Sequence, residues 1–176
     1  MDVQTWSPAE GWHLRFRRAT AGVYAVDSLD GFPSADISPA AAGSALSAST
    51  VALSPTADPY GPFAEEGVIA IKFYVCPGGL EDQLVAFEQE TQGTYYPFMA
   101  RVGWRYGGLC HVRSNVAQIS QSFAEVYSIA APDRAAAEAL DAQTKPEPQE
   151  ILDMYAACSK FVVKGLGRWV WLTPIG

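Results

Sequence analysis

Residues 67–76, with the sequence GVIAIKFYVC, show the clearest strand pattern in the chain. Successive side chains of a strand point to opposite faces. Ile69, Ile71 and Phe73 lie on a uniformly apolar face, whereas Lys72 lies on a mixed face. We expect the apolar face to pack on helices and the mixed face to meet water or a lined cavity. Lys72 then lies either at a wet sheet face or buried beside a partner, because an unpaired buried ammonium is very costly.

A helical pattern follows this strand directly. Across residues 80–102, apolar and aromatic residues recur at alternating steps of three and four, which is typical of one face of an α-helix. Gly93 and Pro97 interrupt the pattern. Because Pro97 removes a backbone hydrogen bond, we expect the helix to kink or split there.

The order of the later segments predicts a fold class. Strands are predicted at residues 105–113, 122–130 and 169–175, and helical segments at residues 132–143 and 150–162. The order strand, helix, strand, strand, helix, strand is that of the ferredoxin-like split βαβ arrangement. We therefore expect an α+β domain over residues 66–176, ferredoxin-like βαββαβ, with an antiparallel sheet and helices on one face.

Residues 1–65 are predicted to form an N-terminal extension. Residues 12–17 and 23–27 alternate apolar and polar positions around a turn signal, which predicts a short hairpin. Residues 34–62 are rich in Ala, Ser and Pro and predict a long ordered loop. A short strand at residues 46–53 is the alternative.

Charge and hydropathy exclude several classes of protein. A net charge of -7 and a pI near 4.7 argue against a nucleic-acid surface, which needs clustered Lys and Arg. No apolar run is long enough to span a membrane, and residues 1–12 do not resemble a signal peptide. Cys76, Cys110 and Cys158 lack the spacing of a metal site and indicate a reducing compartment. A cytoplasmic location is the expectation.

The mixed faces of the predicted strands carry aromatic and ionisable side chains together. Such a face is too apolar for water and too charged for a plain core. It is either covered by the N-terminal segment or encloses a pocket. The candidates for substrate binding are Lys72, Tyr74, Tyr127, Trp169 and Trp171. Tyrosines can donate hydrogen bonds to a substrate oxygen and tryptophans can stack on a flat ligand; the alternative is that these residues form core or a dimer interface.

Three further residues are candidates for catalysis. His111 can take or give a proton near neutral pH, and the alternative is a structural histidine bonded to Glu125. Glu125 is a candidate base, and the alternative is a salt bridge on the sheet face. Arg113 can hold a carboxylate or an enolate, and the alternative is a solvated strand end.

The βαββαβ order and the polar, aromatic open face resemble the dimeric α+β barrel superfamily, over about residues 66–175. That group includes antibiotic-biosynthesis monooxygenases, polyketide cyclases, EthD-like proteins and NIPSNAP-like proteins. The resemblance implies a homodimer whose two sheets form a barrel around a small-molecule pocket. Some members bind haem, for which His111 would be the ligand. Residues 1–65 depart from the family pattern, which puts the usual dimer in doubt.

These observations lead to a functional hypothesis with alternatives. We expect a cytoplasmic small-molecule enzyme without metal or cofactor, such as a monooxygenase, cyclase or isomerase. Its chemistry would be proton transfer, or cofactor-free oxygenation or cyclisation of an aromatic or polyketide-like substrate. The alternatives are a non-catalytic ligand-binding or structural dimer, and a haem-binding barrel. No P-loop, dinucleotide-binding or HExxH motif points elsewhere.

Overall fold

The computed structural model describes residues 10–41, 43–57 and 67–176. The strands in these ranges are β1 (Glu10–Arg17), β2 (Tyr24–Asp27), β3 (Ser34–Ala41), β4 (Thr50–Pro55), β5 (Val68–Tyr74), β6 (Trp104–Ser114), β7 (Phe123–Ile129) and β8 (Arg168–Pro174). The α-helices are α1 (Glu81–Ala100), α2 (Arg134–Asp141) and α3 (Gln149–Cys158). Short 3₁₀ turns at Ala142–Thr144 and Ser159–Phe161 follow α2 and α3.

The eight strands form one closed antiparallel barrel in the order β1-β3-β2-β8-β5-β7-β6-β4, and β4 pairs with β1 to close it. The predicted fold class is therefore wrong: the protein is a closed β-barrel, not a ferredoxin-like α+β domain with an open sheet. The strands and helices predicted within residues 67–175 are present. The N-terminal strands β1 to β4 complete the barrel that those elements begin.

The loop predicted for residues 34–62 explains the error. β3 and β4 lie within these residues, and β4 overlaps the alternative strand of residues 46–53 over residues 50–53. These strands form because β1 pairs along both of its edges, with β3 on one edge and with β4 on the other. β3 also lies between β1 and β2, so the predicted hairpin of residues 12–17 and 23–27 is not formed. The boundary predicted between residues 65 and 66 lies outside the described residues.

The apolar side of β5 faces the barrel interior rather than the helices. Ile69, Ile71 and Phe73 are fully buried there in one cluster with Trp12 and Leu14 of β1. A closed barrel of eight strands is filled by side chains and holds little water, so it requires the uniformly apolar side of each strand. The helices cover the outer, mixed side, which reverses the predicted assignment of the two faces.

Helix α1 runs without a break from Glu81 to Ala100, with Pro97 inside it. The predicted split is therefore wrong. Pro97 lies close to the C-terminal end of the helix and is exposed. Within the described ranges, no helix combines the length and the apolar character needed to cross a membrane.

Two glycines give a matched test of this packing. A Cβ at Gly67 would lie 2.1 Å from the backbone oxygen of Ile129, whereas a Cβ at Gly93, on the exposed side of α1, meets nothing within 4 Å. Gly67→Ala is expected to lower the free energy of unfolding by about 1–3 kcal/mol, because backbone must shift to admit the methyl group. Gly93→Ala is expected to raise it by about 0.5–1 kcal/mol through helix propensity. Urea denaturation measures both, and equal effects would contradict this packing.

Candidate functional site

A cavity of about 630 Å³ lies between the outer face of the barrel and the helices. Its floor comes from strands β5, β6, β7 and β8, and its walls come from α1 and from the segment that runs from α2 through α3 towards β8. The lining residues are Ala70, Lys72, Tyr95, Phe98, Met99, Trp104, Tyr127, Glu138, Asp141, Thr144, Lys145, Tyr155, Cys158, Ser159, Val162, Lys164, Trp169 and Trp171. Most of the lining surface is apolar and aromatic.

Three tryptophans and a tyrosine form a continuous aromatic floor. The rings of Trp169 and Trp171, two residues apart on β8, are stacked at 6.1 Å and 26°. Trp104 packs edge-on against Trp171 at 6.4 Å, and Tyr127 lies 5.9 Å from Trp169. Because alternate residues of a strand share a face, β8 places both of its tryptophans towards the cavity. Trp169 is 43% exposed, which leaves much of its surface open to a ligand.

Polar groups of β5 and β7 lie together beside the cavity. Lys72 and Glu125 are directly opposite each other on β5 and β7, and Lys72 Nζ lies 3.7 Å from Glu125 Oε2. The hydroxyl of Tyr127 donates a hydrogen bond of 2.6 Å to the same carboxylate oxygen. Lys72 and Tyr127 line the cavity, whereas Glu125 is buried behind them. A carboxylate, an ammonium group and a phenol thus form one cluster beside the cavity.

Helix α1 adds a second carboxyl group to this cluster. Glu88 is buried on the face of α1 that covers the sheet, near Glu125 and Lys72. Burial raises the pKa of Glu88 to about 8, and the negative charge of Glu125 adds to the rise while Lys72 opposes it. Two carboxylates that share a buried site do not both ionise readily. Glu88 is therefore mostly protonated at neutral pH.

Tyrosine side chains extend the cluster along the cavity wall. Tyr95 of α1 is hydrogen-bonded to Tyr127 on one side and to Tyr155 of α3 on the other. Burial, followed by the charge of Glu125, raises the pKa of Tyr127 well above its ordinary value. The chain ends at Tyr155, which is 39% exposed.

Five of the eight predicted site residues come together at this cavity: Lys72, Glu125, Tyr127, Trp169 and Trp171. Tyr74 lies beside them without lining the cavity. It is fully buried, stacks on Phe123 at 6.2 Å and has the Lys72 ammonium 5.6 Å from its ring centre. Burial, with a contribution from Glu125, raises the pKa of Tyr74 far above its ordinary value, so its hydroxyl stays protonated.

His111 and Arg113 lie outside the cavity. His111 is exposed on β6, with its ring 5.0 Å from that of Phe123, and Arg113 donates a hydrogen bond of 2.8 Å to the backbone oxygen of Ser44. The irregularity in β6 between Tyr106 and Gly108 sets the register, so that Glu125 is opposite Leu109 rather than His111. The alternative of a histidine bonded to Glu125 is therefore not realised.

The sequence interpretation did not include Glu88, Tyr95, Trp104 or Tyr155. A signal for Glu88 was available, since it follows Leu84 by four residues and therefore lies on the same buried face of α1. A charged residue within the apolar stripe of a helix indicates a buried partner. No comparable signal marks Tyr155, because its contact with Tyr95 depends on the packing of α3 against α1.

The cavity walls contain little that would bind a metal or act as a nucleophile. No group of three or more His, Cys, Asp or Glu side chains within residues 10–41, 43–57 and 67–176 is arranged to hold a metal ion. Burial raises the pKa of Cys158, which lines the cavity, to about 11, so its thiol stays protonated at neutral pH. The haem alternative depended on His111, and the position of that residue gives it no support.

Comparisons with known proteins add information on the fold. No protein-family model and no curated protein sequence matches the chain. A solved structure described as that of a major regulator of staphylococcal pathogenesis is similar, with a TM-score of 0.58 and 14% identity, over 94% of this chain and 99% of that chain. The likeness shows the fold alone. Together with the closed barrel, it overturns the resemblance to the dimeric α+β barrel superfamily, and nothing supports the monooxygenase or cyclase activity that this resemblance implied.

Proposed function

We propose that the protein binds a small, planar, largely apolar molecule in the cavity between the barrel and its helices. The observation that carries the proposal is the continuous aromatic floor of Trp104, Tyr127, Trp169 and Trp171 beneath a cavity of about 630 Å³. Small-molecule sites typically have volumes of about 300–1,000 Å³ and apolar walls with a few polar groups. Both properties apply here.

The energetics also favour a flat ligand. An aromatic contact contributes about 0.5–1.5 kcal/mol beyond the burial of its surface, and stacked or edge-on contacts with several rings are available in this floor. The half-exposed surface of Trp169 is apolar area that a ligand would remove from water. Glu125 and Lys72 are paired with each other, so this pair adds no net charge to a lining that also contains Glu138, Asp141, Lys145 and Lys164.

A role in binding is compatible with more than one biological context. The similar solved structure is described as a regulator, and both an enzyme and a regulator that responds to a small molecule need a ligand cavity. A homodimer stays a prediction, and barrel closure no longer provides a reason for it, because the chain closes its barrel by itself.

The proposal is tested with naphthalene as the probe, by proton–nitrogen correlation NMR of the tryptophan indole groups. The signals of Trp104, Trp169 and Trp171 are expected to shift on titration, while that of Trp12 in the barrel interior serves as an internal control. Trp171→Ala is expected to weaken binding about tenfold or more, which corresponds to about 1.4 kcal/mol.

A matched control is Leu166→Ala, which removes an exposed apolar side chain that does not line the cavity. It is expected to leave the affinity for naphthalene unchanged. Equal shifts of all indole signals, or equal affinities of the Trp171 and Leu166 variants, would show that naphthalene does not bind in this cavity.

A further inference from the structure

We propose that a groove at the end of β1 binds a small organic phosphate monoester through the guanidinium groups of Arg15, Arg17 and Arg18. The groove has a volume of about 430 Å³, and its lining comes from residues 15–21 and from residues 48–49, which precede β4. Among the residues that the structure describes, it shares no lining residue with the cavity beneath the helices. It is therefore a second site, beyond the function proposed for that cavity.

Closure of the barrel places the first two arginines on one outer face. Leu14 and Phe16 of β1 pack in the barrel interior, so the alternating residues Arg15 and Arg17 point outwards. Arg18 follows directly at the end of the strand. Three guanidinium groups therefore border a single groove.

Both walls of the groove are tied to the barrel. The buried hydroxyl of Ser34 on β3 donates a hydrogen bond to the backbone oxygen of Ala19 and accepts one of 3.0 Å from the backbone N–H of Gly22. On the other side, the backbone N–H of Phe16 donates a hydrogen bond of 2.9 Å to the backbone oxygen of Ser49. A ligand therefore meets walls that are already ordered, which lowers the entropic cost of binding.

The groove carries an excess of positive charge. Arg17 pairs with Asp36 of β3. Within residues 10–41, 43–57 and 67–176, neither Arg15 nor Arg18 forms an ion pair, and neither does Asp30 in the turn beside Arg18. The three arginines outnumber these two acids, so the local charge is positive in a chain whose net charge is -7.

This arrangement favours a phosphate monoester over other anions. The planar fork of a guanidinium group matches two phosphate oxygens. A phosphate monoester carries a charge of about −1.5 to −2 at pH 7, whereas a carboxylate carries a single charge. Because one exposed ion pair contributes little, binding requires several guanidinium groups together. Ala19, Ala21 and Ala48 add apolar surface on which a small organic group can pack.

A nucleic acid fits the groove less well. A nucleic-acid strand needs a track of basic residues that follows many phosphates, and its affinity depends on the release of several counterions. Here the basic residues are confined to one groove, and the remainder of this acidic chain would repel a polyanion.

The experiment uses butyl phosphate as the probe and follows the arginine side-chain N–H groups by proton–nitrogen correlation NMR near neutral pH. The signals of Arg15, Arg17 and Arg18 are expected to shift, while that of Arg101, which does not line the groove, is expected to stay. Butyl phosphate is expected to bind at least about tenfold more tightly than butanol or pentanoate, and about threefold or more tightly than inorganic phosphate. Added salt is expected to weaken its binding.

Variants test the role of each guanidinium group. Arg15→Gln and Arg18→Gln, which change exposed side chains, are each expected to weaken the binding of butyl phosphate about fivefold and to leave the circular dichroism spectrum unchanged. Arg15→Lys keeps the charge but loses the fork, and is expected to recover only part of the affinity. Arg101→Gln removes the same charge at the end of α1, outside the groove, and is expected to bind like the unchanged protein.

Four results would overturn the inference. The first is an equal loss of affinity in the Arg101→Gln and Arg15→Gln proteins, which would indicate a general attraction to positive charge. The second is inorganic phosphate binding as tightly as butyl phosphate, and the third is a DNA oligonucleotide binding more tightly at the same arginines. The fourth is no shift of the three arginine signals while naphthalene still binds, in which case the function proposed for the cavity stands.

Discussion

Trp12→Ala is expected to lower the free energy of unfolding by about 3–5 kcal/mol, which is the usual cost of removing a large aromatic side chain from a core. Trp12 of β1 is 1% exposed and belongs to the barrel interior with Ile69 and Ile71 of β5. The same substitution at Trp169, which is 43% exposed on the outer face, is expected to cost about 1 kcal/mol or less. The first tryptophan packs in the barrel interior, whereas the second lines the cavity.

Guanidinium denaturation monitored by far-ultraviolet circular dichroism measures both variants. A single cooperative transition that shifts to lower denaturant in the Trp12→Ala protein is expected, because β1 pairs with β3 and β4 within one barrel. If residues 66–176 folded independently of the N-terminal strands, the substitution would instead leave a transition unshifted. The Trp169→Ala protein is expected to unfold nearly as the unchanged protein does, yet to bind naphthalene more weakly.

Glu88→Gln is expected to remove a large part of the pH dependence of stability above about pH 5. Burial raises the pKa of Glu88 from the ordinary 4.5 to about 8. Between these values the folded protein keeps a proton that the unfolded chain releases, so stability falls as pH rises, by about 1.4 kcal/mol for each pH unit. This contribution is fully present below about pH 4.5 and is lost as pH passes through about 8. Glutamine cannot ionise and therefore shows no such loss.

The measurement is the free energy of unfolding of both proteins at several pH values from about 5 to about 9. The two proteins are expected to be similar at the acid end, and the variant is expected to be more stable by several kcal/mol at the alkaline end. Glu90→Gln on the exposed side of the same helix is the control and is expected to keep the slope of the unchanged protein. Parallel curves for the Glu88→Gln and unchanged proteins would show that Glu88 is not held protonated by the fold.

Much of the local structure followed from the sequence because local patterns carry it. The alternation around Ile69, Ile71 and Phe73 predicted β5, and the stripe that begins at Leu80 predicted α1. Strand β3 gave no such signal, and β4 was indicated only by the alternative strand at residues 46–53. Most residues of β3 are small or polar, and both segments become strands because the edges of β1 and of their other neighbours β2 and β6 supply hydrogen-bond partners.

The candidate site followed in part from the sequence. A mixed strand face indicated Lys72, Glu125, Tyr127, Trp169 and Trp171 correctly as neighbours, since side chains that share the face of adjacent strands lie close together. The prediction of what covers this face was wrong. The helices cover it, rather than a second sheet or the N-terminal segment.

Side-chain periodicity, which depends only on neighbouring residues, determined the strands and helices from β5 onwards and which of those strand faces are mixed. The tertiary structure alone decided that the sheet closes, which face turns inward, and which residues of α1 and α3 meet the cluster around Glu125. Closure depends on pairing between segments far apart in the chain, such as β1 with β4 and β2 with β8, and no local pattern specifies such partners. Once the barrel closes, its interior accepts only apolar side chains, and the polar and aromatic groups are left on the outside beneath the helices.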